Sequence, residues 1–209
     1  AVGHSAGDEI TVGTQNVTIG YNAAYNLTTG DFNCIVGSLA RPSTANGEFC
    51  SVIGYNVSGA NNYTTLGKSS SDIRALHGTA TWATVSDERY KKDIVDSTAG
   101  LSFINDLRPR TFKYKNLGEL PNAFNAYEEG STEVFKNSDT NHGFIAQEVK
   151  TAINSHSEIK DGFRLWDDRD DGSQEVAEAA LIPVLTKAIQ ELSAQVTALT
   201  ERLTILEGE

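Results

Sequence analysis

The sequence predicts an all-β repeat, in the form of a β-solenoid or β-prism, followed by an α+β domain that ends in a long coiled-coil helix. Three observations predict it. An apolar-Gly step recurs at a fixed interval in the first 85 residues, and the texture turns from Gly/Asn/Ser/Thr-rich to charged near Ser86. Beyond that point, apolar residues alternate three and four apart along the C-terminal end. The corresponding segments are 1–85, 86–175 and 176–209.

The repeat reads Val-Thr-Ile19-Gly20, Cys-Ile-Val36-Gly37 and Ser-Val-Ile53-Gly54, each step 17 residues after the last. Gly30 and Gly47 fall ten residues after their leading glycines, and Phe32 and Phe49 fall twelve after. A shortened copy runs from Gly54 to Leu66-Gly67, and looser steps occur at Val2-Gly3 and Val12-Gly13. A fixed period with short β-branched runs and turn glycines predicts one strand-turn unit per coil, with a Gly-rich β-sandwich as the alternative. Coils this short and polar bury little alone and gain stability by stacking on each other and on neighbouring chains. Cys34 lies three residues before its glycine and Cys50 four, so strand alternation points them to opposite faces and no disulfide is expected. His4 and His77 are expected at the surface, and Tyr21, Tyr25, Tyr55 and Tyr63 are expected to pack between chains rather than hold carbohydrate.

Composition excludes several classes. A formal charge of −11 argues against non-specific binding to nucleic acid or to an anionic membrane. No run of about 18 apolar residues and no charged-then-apolar leader is present, so a soluble chain is expected. With no methionine in the sequence, a trimmed piece of a longer polypeptide is expected. No Cys/His spacing suits zinc, and neither metal nor cofactor is expected. The scattered carboxylates Asp8, Glu9, Asp31 and Glu48 make no pair for sugar cleavage.

In the second half, Asp96 to Leu107 reads as a short helix ended by Arg108-Pro109, and Arg110 to Lys115 as a strand. A polar loop or hairpin from Asn116 to Asn141 follows, then His142 to Val149 leading into a helix, then a strand at Phe163 to Trp166. At the tail, Ile182, Ile189, Val196 and Leu203 alternate with Leu185, Leu192, Leu199 and Leu206, the 3-4 pattern of a coiled coil. Pro183 suits a first helical turn. β-branched residues in the first set and Leu in the second favour two strands. The neutral flanks Ala188, Ser193, Gln195 and Thr200 broaden the seam, and a triple β-stalk calls for three. A single helix folded back on its own domain is the alternative.

At the boundary itself, Ser86 stands five residues before Lys91. A lysine held neutral by burial can serve as general base to a serine hydroxyl, which a self-cleaving junction needs, though S-x4-K alone is unspecific. Four motifs in order make the setting specific: S-D-x-R-x-K-x-x-I from Ser86, L-x-x-I-x-x-L-R-P-x-x-F-x-Y from Leu101, G-F-I-A-Q-E-V from Gly143 and L-I-P-V-L-T-K-A-I-Q-E-L from Leu181. Together, over Thr84 to Leu206, they resemble the C-terminal intramolecular chaperone of phage tailspikes and tail fibres, a Ser-Lys self-cleaving module also found in the myelin regulatory factor proteins.

That resemblance implies a homotrimer that guides folding of the β-structured fibre stalk to which it is joined, then releases itself as a single-turnover serine endopeptidase acting in cis. It implies Ser86 as nucleophile, Lys91 as base and Val85-Ser86 as the broken bond, with His142 and Gln147 as candidates for active-site support. It further implies a place in a virion tail fibre or tailspike assembled in the host cytoplasm, its stalk meeting a host surface polysaccharide or receptor. The alternative is an uncleaved structural fibre tip that touches the receptor. A membrane-tethered, DNA-binding role like that of the animal homologues is disfavoured by the acidity. Asp87 is expected to act on the nucleophile or only to form a turn, Arg89 and Lys92 to lie on a solvated face, and Glu148 to pair with a basic residue.

Overall fold

The structure is a computed structural model that describes residues 1–208. The chain divides into two compact units, Ala1–Ile94 and residues 95 onward.

In the first unit the repeat becomes a parallel stack. Strands β1 (Val17–Ile19), β2 (Cys34–Val36), β4 (Ser51–Tyr55) and β6 (Tyr63–Lys68) lie side by side, with β3 (Arg41–Pro42) and β5 (Ser58–Gly59) forming a second short parallel pair. Val17 pairs with Cys34 and Cys34 with Ser51, which is the 17-residue step of the sequence. Ser51 then pairs with Thr64, and Gly54 with Gly67, so the shortened copy is a coil of 13 residues. This is a β-solenoid, and the parallel register sets the sandwich aside.

Each coil sends one side chain of its central strand inward. Thr18, Ile35, Val52 and Thr65 form one column of the core, and Ala6, Ala23, Ala40 and Val57 another. Close stacking leaves no room for side chains at the leading glycines: a Cβ on Gly20 would lie 2.6 Å from the Gly37 carbonyl carbon, and its φ of +129° is a conformation that favours glycine. Polar groups inside the stack are matched from coil to coil. Asn33 donates from Nδ2 to the Asn16 side chain (2.9 Å) and the Gly47 carbonyl (2.7 Å), and its Oδ1 accepts from the Cys50 amide at 2.9 Å. Outside, Phe32 stacks on Phe49 with ring centroids 4.9 Å apart. Cys34 is exposed and Cys50 buried, both as free thiols, and burial pushes the Cys50 thiol up to about 11. After β6 the chain reverses, and β7 (Ser71–Leu76) pairs antiparallel with it to close the stack.

The second unit is α+β. Helix α1 (Leu101–Asp106) packs against α3 (Leu181–Glu207), and α2 (Ala146–Ser155) lies against α1 and the hairpin of β10 (Trp166–Asp168) and β11 (Gln174–Val176). Their shared core holds Phe103, Leu107, Val149, Ile153, Leu165 and Val184. Strand β8 (Arg110–Phe112) pairs antiparallel with β9 (Asn141–Gly143).

Boundaries differ from expectation in three places, each for a local reason. Helix α1 starts only after Gly100, its N-terminal flanking residue, whose φ of −146° and ψ of −126° are not helical. The strand expected through Lys115 stops at Phe112, where its partner β9 ends at Asn141, and β9 itself carries no alternating pattern to announce it. The strand expected at Phe163 to Trp166 lies instead at Trp166–Asp168, inside the acidic stretch, because the Asp171 carboxylate closes the hairpin. That carboxylate accepts from the backbone of Asn125 and from both the amide and the hydroxyl of Ser173, contacts that hold Asp171 at about 2.

Helix α3 has two apolar faces. Leu181, Val184 and Ala188 are buried in the unit's own core, so Ala188 belongs there and does not widen the heptad seam. The heptad residues point elsewhere: Ile182, Ile189 and Val196 are each more than 60 % exposed.

Candidate functional site

The boundary segment begins where β7 ends. A turn follows in which the Thr79 amide and hydroxyl donate to the Leu76 carbonyl at 3.1 and 2.8 Å. The chain then runs back along β7 as far as Thr84. Next, Glu88–Tyr90 form one 3₁₀ turn. Asp87 opens it by accepting from the Arg89 amide at 2.9 Å, and the Lys91 amide closes it on the Glu88 carbonyl at 2.8 Å.

This turn is what brings Ser86 and Lys91 together. Five residues of extended chain would separate them by about 17 Å, whereas a 3₁₀ turn advances only about 2 Å per residue. Lys91 Nζ lies 2.8 Å from Ser86 Oγ. As an ammonium it donates this hydrogen bond; as a neutral amine on the same path it can accept the serine proton. Both side chains are exposed in the single chain, as are the apolar neighbours Trp82, Val85 and Tyr90.

Asp87 forms the turn. Its carboxylate takes the Arg89 guanidinium at 3.0 and 2.7 Å, and that pairing, followed by the Arg89 amide, holds it below the usual carboxylate range. It is therefore occupied in shaping the peptide that follows Ser86. Arg89 and Lys92 are exposed.

His142 and Gln147 belong to the second unit. His142 sits in β9, exposed, at the edge of a shallow depression of about 370 Å³ shared with Pro109, Arg110, Thr111, Gly143 and Phe144. Gln147 is exposed near the start of α2, its carbonyl accepting from the Thr151 hydroxyl. Their neighbour Glu148 makes the basic pairing expected of it, bidentate to Arg110 at 2.9 and 2.6 Å with Arg108 at 3.4 Å, and the Arg110 contact lowers its pKa.

Two features escaped the sequence. Ala83 and Thr84 pair with β7, but backbone pairing of an irregular segment leaves no compositional mark. His156, which ends α2, is buried against Phe103 between Asp106 (2.8 Å) and Glu158 (3.0 Å). A histidine 50 residues from its main partner has no local signature. Among the described residues no three His, Cys, Asp or Glu side chains gather to hold a metal ion, and no helix is long and apolar enough to cross a membrane.

Comparison with known proteins gives one result. Residues 86–157 match the model of a peptidase family described as chaperone of endosialidase. The match starts on Ser86 and takes in Lys91, His142 and Gln147. No curated protein and no solved structure matches the chain.

Proposed function

We propose, from the match of residues 86–157 to the endosialidase-chaperone family, that the chain is the end of a phage tail fibre or tailspike together with its intramolecular chaperone. The chaperone trimerises, folds the β-solenoid stalk to which it is joined and releases itself by cutting Val85-Ser86. The observation that carries this reading is the 2.8 Å contact between Lys91 Nζ and Ser86 Oγ, at the first residue of the family match.

The chemistry balances with the groups at hand. Neutral Lys91 takes the Ser86 hydroxyl proton as Oγ attacks the Val85 carbonyl carbon through a five-membered ring. The Val85-Ser86 C–N bond breaks, the proton passes to the leaving nitrogen, and an ester joins Val85 to Ser86 Oγ. Water then hydrolyses the ester, leaving a Val85 carboxylate and a free Ser86 amine. Covalent adjacency of nucleophile and carbonyl gives a large proximity advantage. A neutral lysine requires removal from water, and the exposed Trp82, Val85 and Tyr90 around the pair supply apolar surface that a neighbouring chain would cover in an assembled trimer. His142 and Gln147 remain candidates to steady the oxyanion.

Departure of the chaperone would lock the stalk kinetically, since the assembly clamp would be gone and unfolding would face a raised barrier. Mass spectrometry of purified chain is the test. Wild type should yield residues 1–85 and 86–209, while Ser86→Ala and Lys91→Ala stay whole. A wild-type chain that trimerises and remains whole sinks the protease role and leaves the second reading, an uncleaved fibre tip. That reading draws on the exposure of both Ser86 and Lys91 in the single chain.

A further inference from the structure

At the outer edge of β7 the solenoid's hydrogen-bond ladder continues into the residues ahead of Ser86. β7 uses one edge to pair with β6, and the groups of Asp72, Arg74 and Leu76 face the other way. An open strand edge is a template for any extended peptide. Here the chain's own residues 79–84 fill it. Thr79 caps the Leu76 carbonyl. Ala83 and Arg74 exchange both backbone bonds, the Ala83 amide donating to the Arg74 carbonyl at 2.8 Å and the Ala83 carbonyl accepting from the Arg74 amide at 2.9 Å. The Thr84 hydroxyl then donates to the Asp72 carbonyl at 3.1 Å. Val85 is the next residue, and its carbonyl is the one Ser86 must attack.

We propose that this strand addition positions the scissile peptide, with Thr84 as a positioning residue, so that the bond is presented to Ser86 only once β7 has closed the solenoid. The inference rests on the autoproteolytic reading above and supplies its regulation. Attack through a five-membered ring needs the Val85 carbonyl carbon turned toward Oγ. A free chain samples that geometry rarely. A chain pinned two and one residues upstream, and held downstream by the Asp87 turn, has few torsions left to lose. Pairing with β6 holds β7 extended, so the same ladder that completes the stalk steadies the cleavage geometry. Folding state is thereby transmitted to the peptide bond through backbone contacts, with no separate sensor.

The test follows full-length chain refolded from urea, with fragment appearance timed by mass spectrometry. Thr84→Val keeps the β-branched shape and removes the hydroxyl, and cleavage should slow by roughly tenfold, the scale of one lost hydrogen bond. Thr84→Ser should restore the rate, which a role in packing alone would not produce. Ala83→Pro removes the amide given to Arg74 and should slow cleavage by about 100-fold, the scale of a misplaced reacting group. In a Ser86→Ala background, hydrogen exchange should find the Ala83 amide protected and the β6 amides unchanged by Thr84→Val. Wild type that cleaves together with Thr84→Val and Ala83→Pro chains that cleave at the wild-type rate overturns the positioning role and leaves the protease role standing. An Ala83 amide that exchanges as in free chain overturns it as well. If Ala83→Pro prevents the stalk from folding, the Thr84→Val and Thr84→Ser pair decides alone. A wild-type chain that never cleaves removes the protease reading, and this inference falls with it.

Discussion

Gly54 lies directly beside Gly67 in the parallel sheet, a step of 13 residues where the two coils before it step by 17. The glycine column survives the shortening because the coils approach most closely there. A Cβ on Gly54 would fall inside the Gly67 carbonyl, and its φ of +140° is unfavourable for any L side chain. Gly54→Ala should therefore destabilise the first unit by about 3 kcal/mol, combining overpacking with backbone strain. Gly78, with φ of +86° and open space around it, supplies the control. Gly78→Ala should cost only about 1 kcal/mol. Urea melts of the two variants against wild type measure the difference, and equal costs would mean that the coils can move apart at Gly54.

Thr65 carries the opposite kind of defect. It occupies the inward column below Val52, fully buried, and its hydroxyl has no hydrogen-bond partner. A buried hydroxyl without a partner is a liability that an apolar residue of the same shape removes. Thr65→Val should raise stability by about 1 kcal/mol, read as a higher urea midpoint at unchanged slope. A loss of stability would show that a water or a shifted neighbour satisfies the hydroxyl.

His156 makes the second unit sensitive to pH. The Asp106 carboxylate, then Glu158, hold its folded-state pKa above the ordinary 6.5, against the opposing effect of burial. The charged groups that face it are these two carboxylates, Asp106 from the end of α1 and Glu158 from the turn after α2. A pKa raised by folding contributes stability in full below about 6.5 and loses it as pH rises through the folded value. Thermal melting of wild type should thus lose stability relative to His156→Gln as pH rises above about 6.5. Parallel profiles for the two proteins would show that folding leaves the proton affinity of the imidazole unchanged.

The solenoid was legible because its determinants repeat. Ile19-Gly20, Val36-Gly37 and Ile53-Gly54 announce both the period and the register, and the pairs Gly37/Gly54 and Gly54/Gly67 lie where the spacing puts them. β7 was not legible, since Ser71 to Leu76 shares the strand-like composition of the coils and its reversal depends on one turn at Ser69, whose φ is +54°. At the candidate site the residue types at 86 and 91 and their spacing were readable, and the 3₁₀ turn that joins them follows from Asp87. The contact of Thr84 with Asp72 reaches 12 positions back, from irregular chain into β7, and depends on that strand being formed. Long-range partnerships of this kind, like His156 with Asp106, are set by tertiary packing and leave no periodic trace.

Helix α3 divides its apolar residues between a buried face and an exposed one. Ala188 is 3 % exposed, packed in the core of its own unit, whereas Ile189 beside it is 65 % exposed and Leu192 45 % exposed. Eight heptad residues left open in this way form a seam nearly four heptads long, more apolar surface than a solitary helix normally shows to water. If that seam joins three chains, Ile189→Asp with Leu192→Asp should turn a trimer into a monomer in sedimentation while the second unit keeps its melting temperature. Ala188→Asp should do the reverse, costing about 3 kcal/mol or more by burying a charge in the unit's own core. On the proposed function the Ile189 and Leu192 variant should also fail to release residues 1–85, because the exposed Ser86 and Lys91 would lack the neighbouring chain that excludes water from them. A monomer that still cleaves at the wild-type rate would show that the pair is sufficient within one chain.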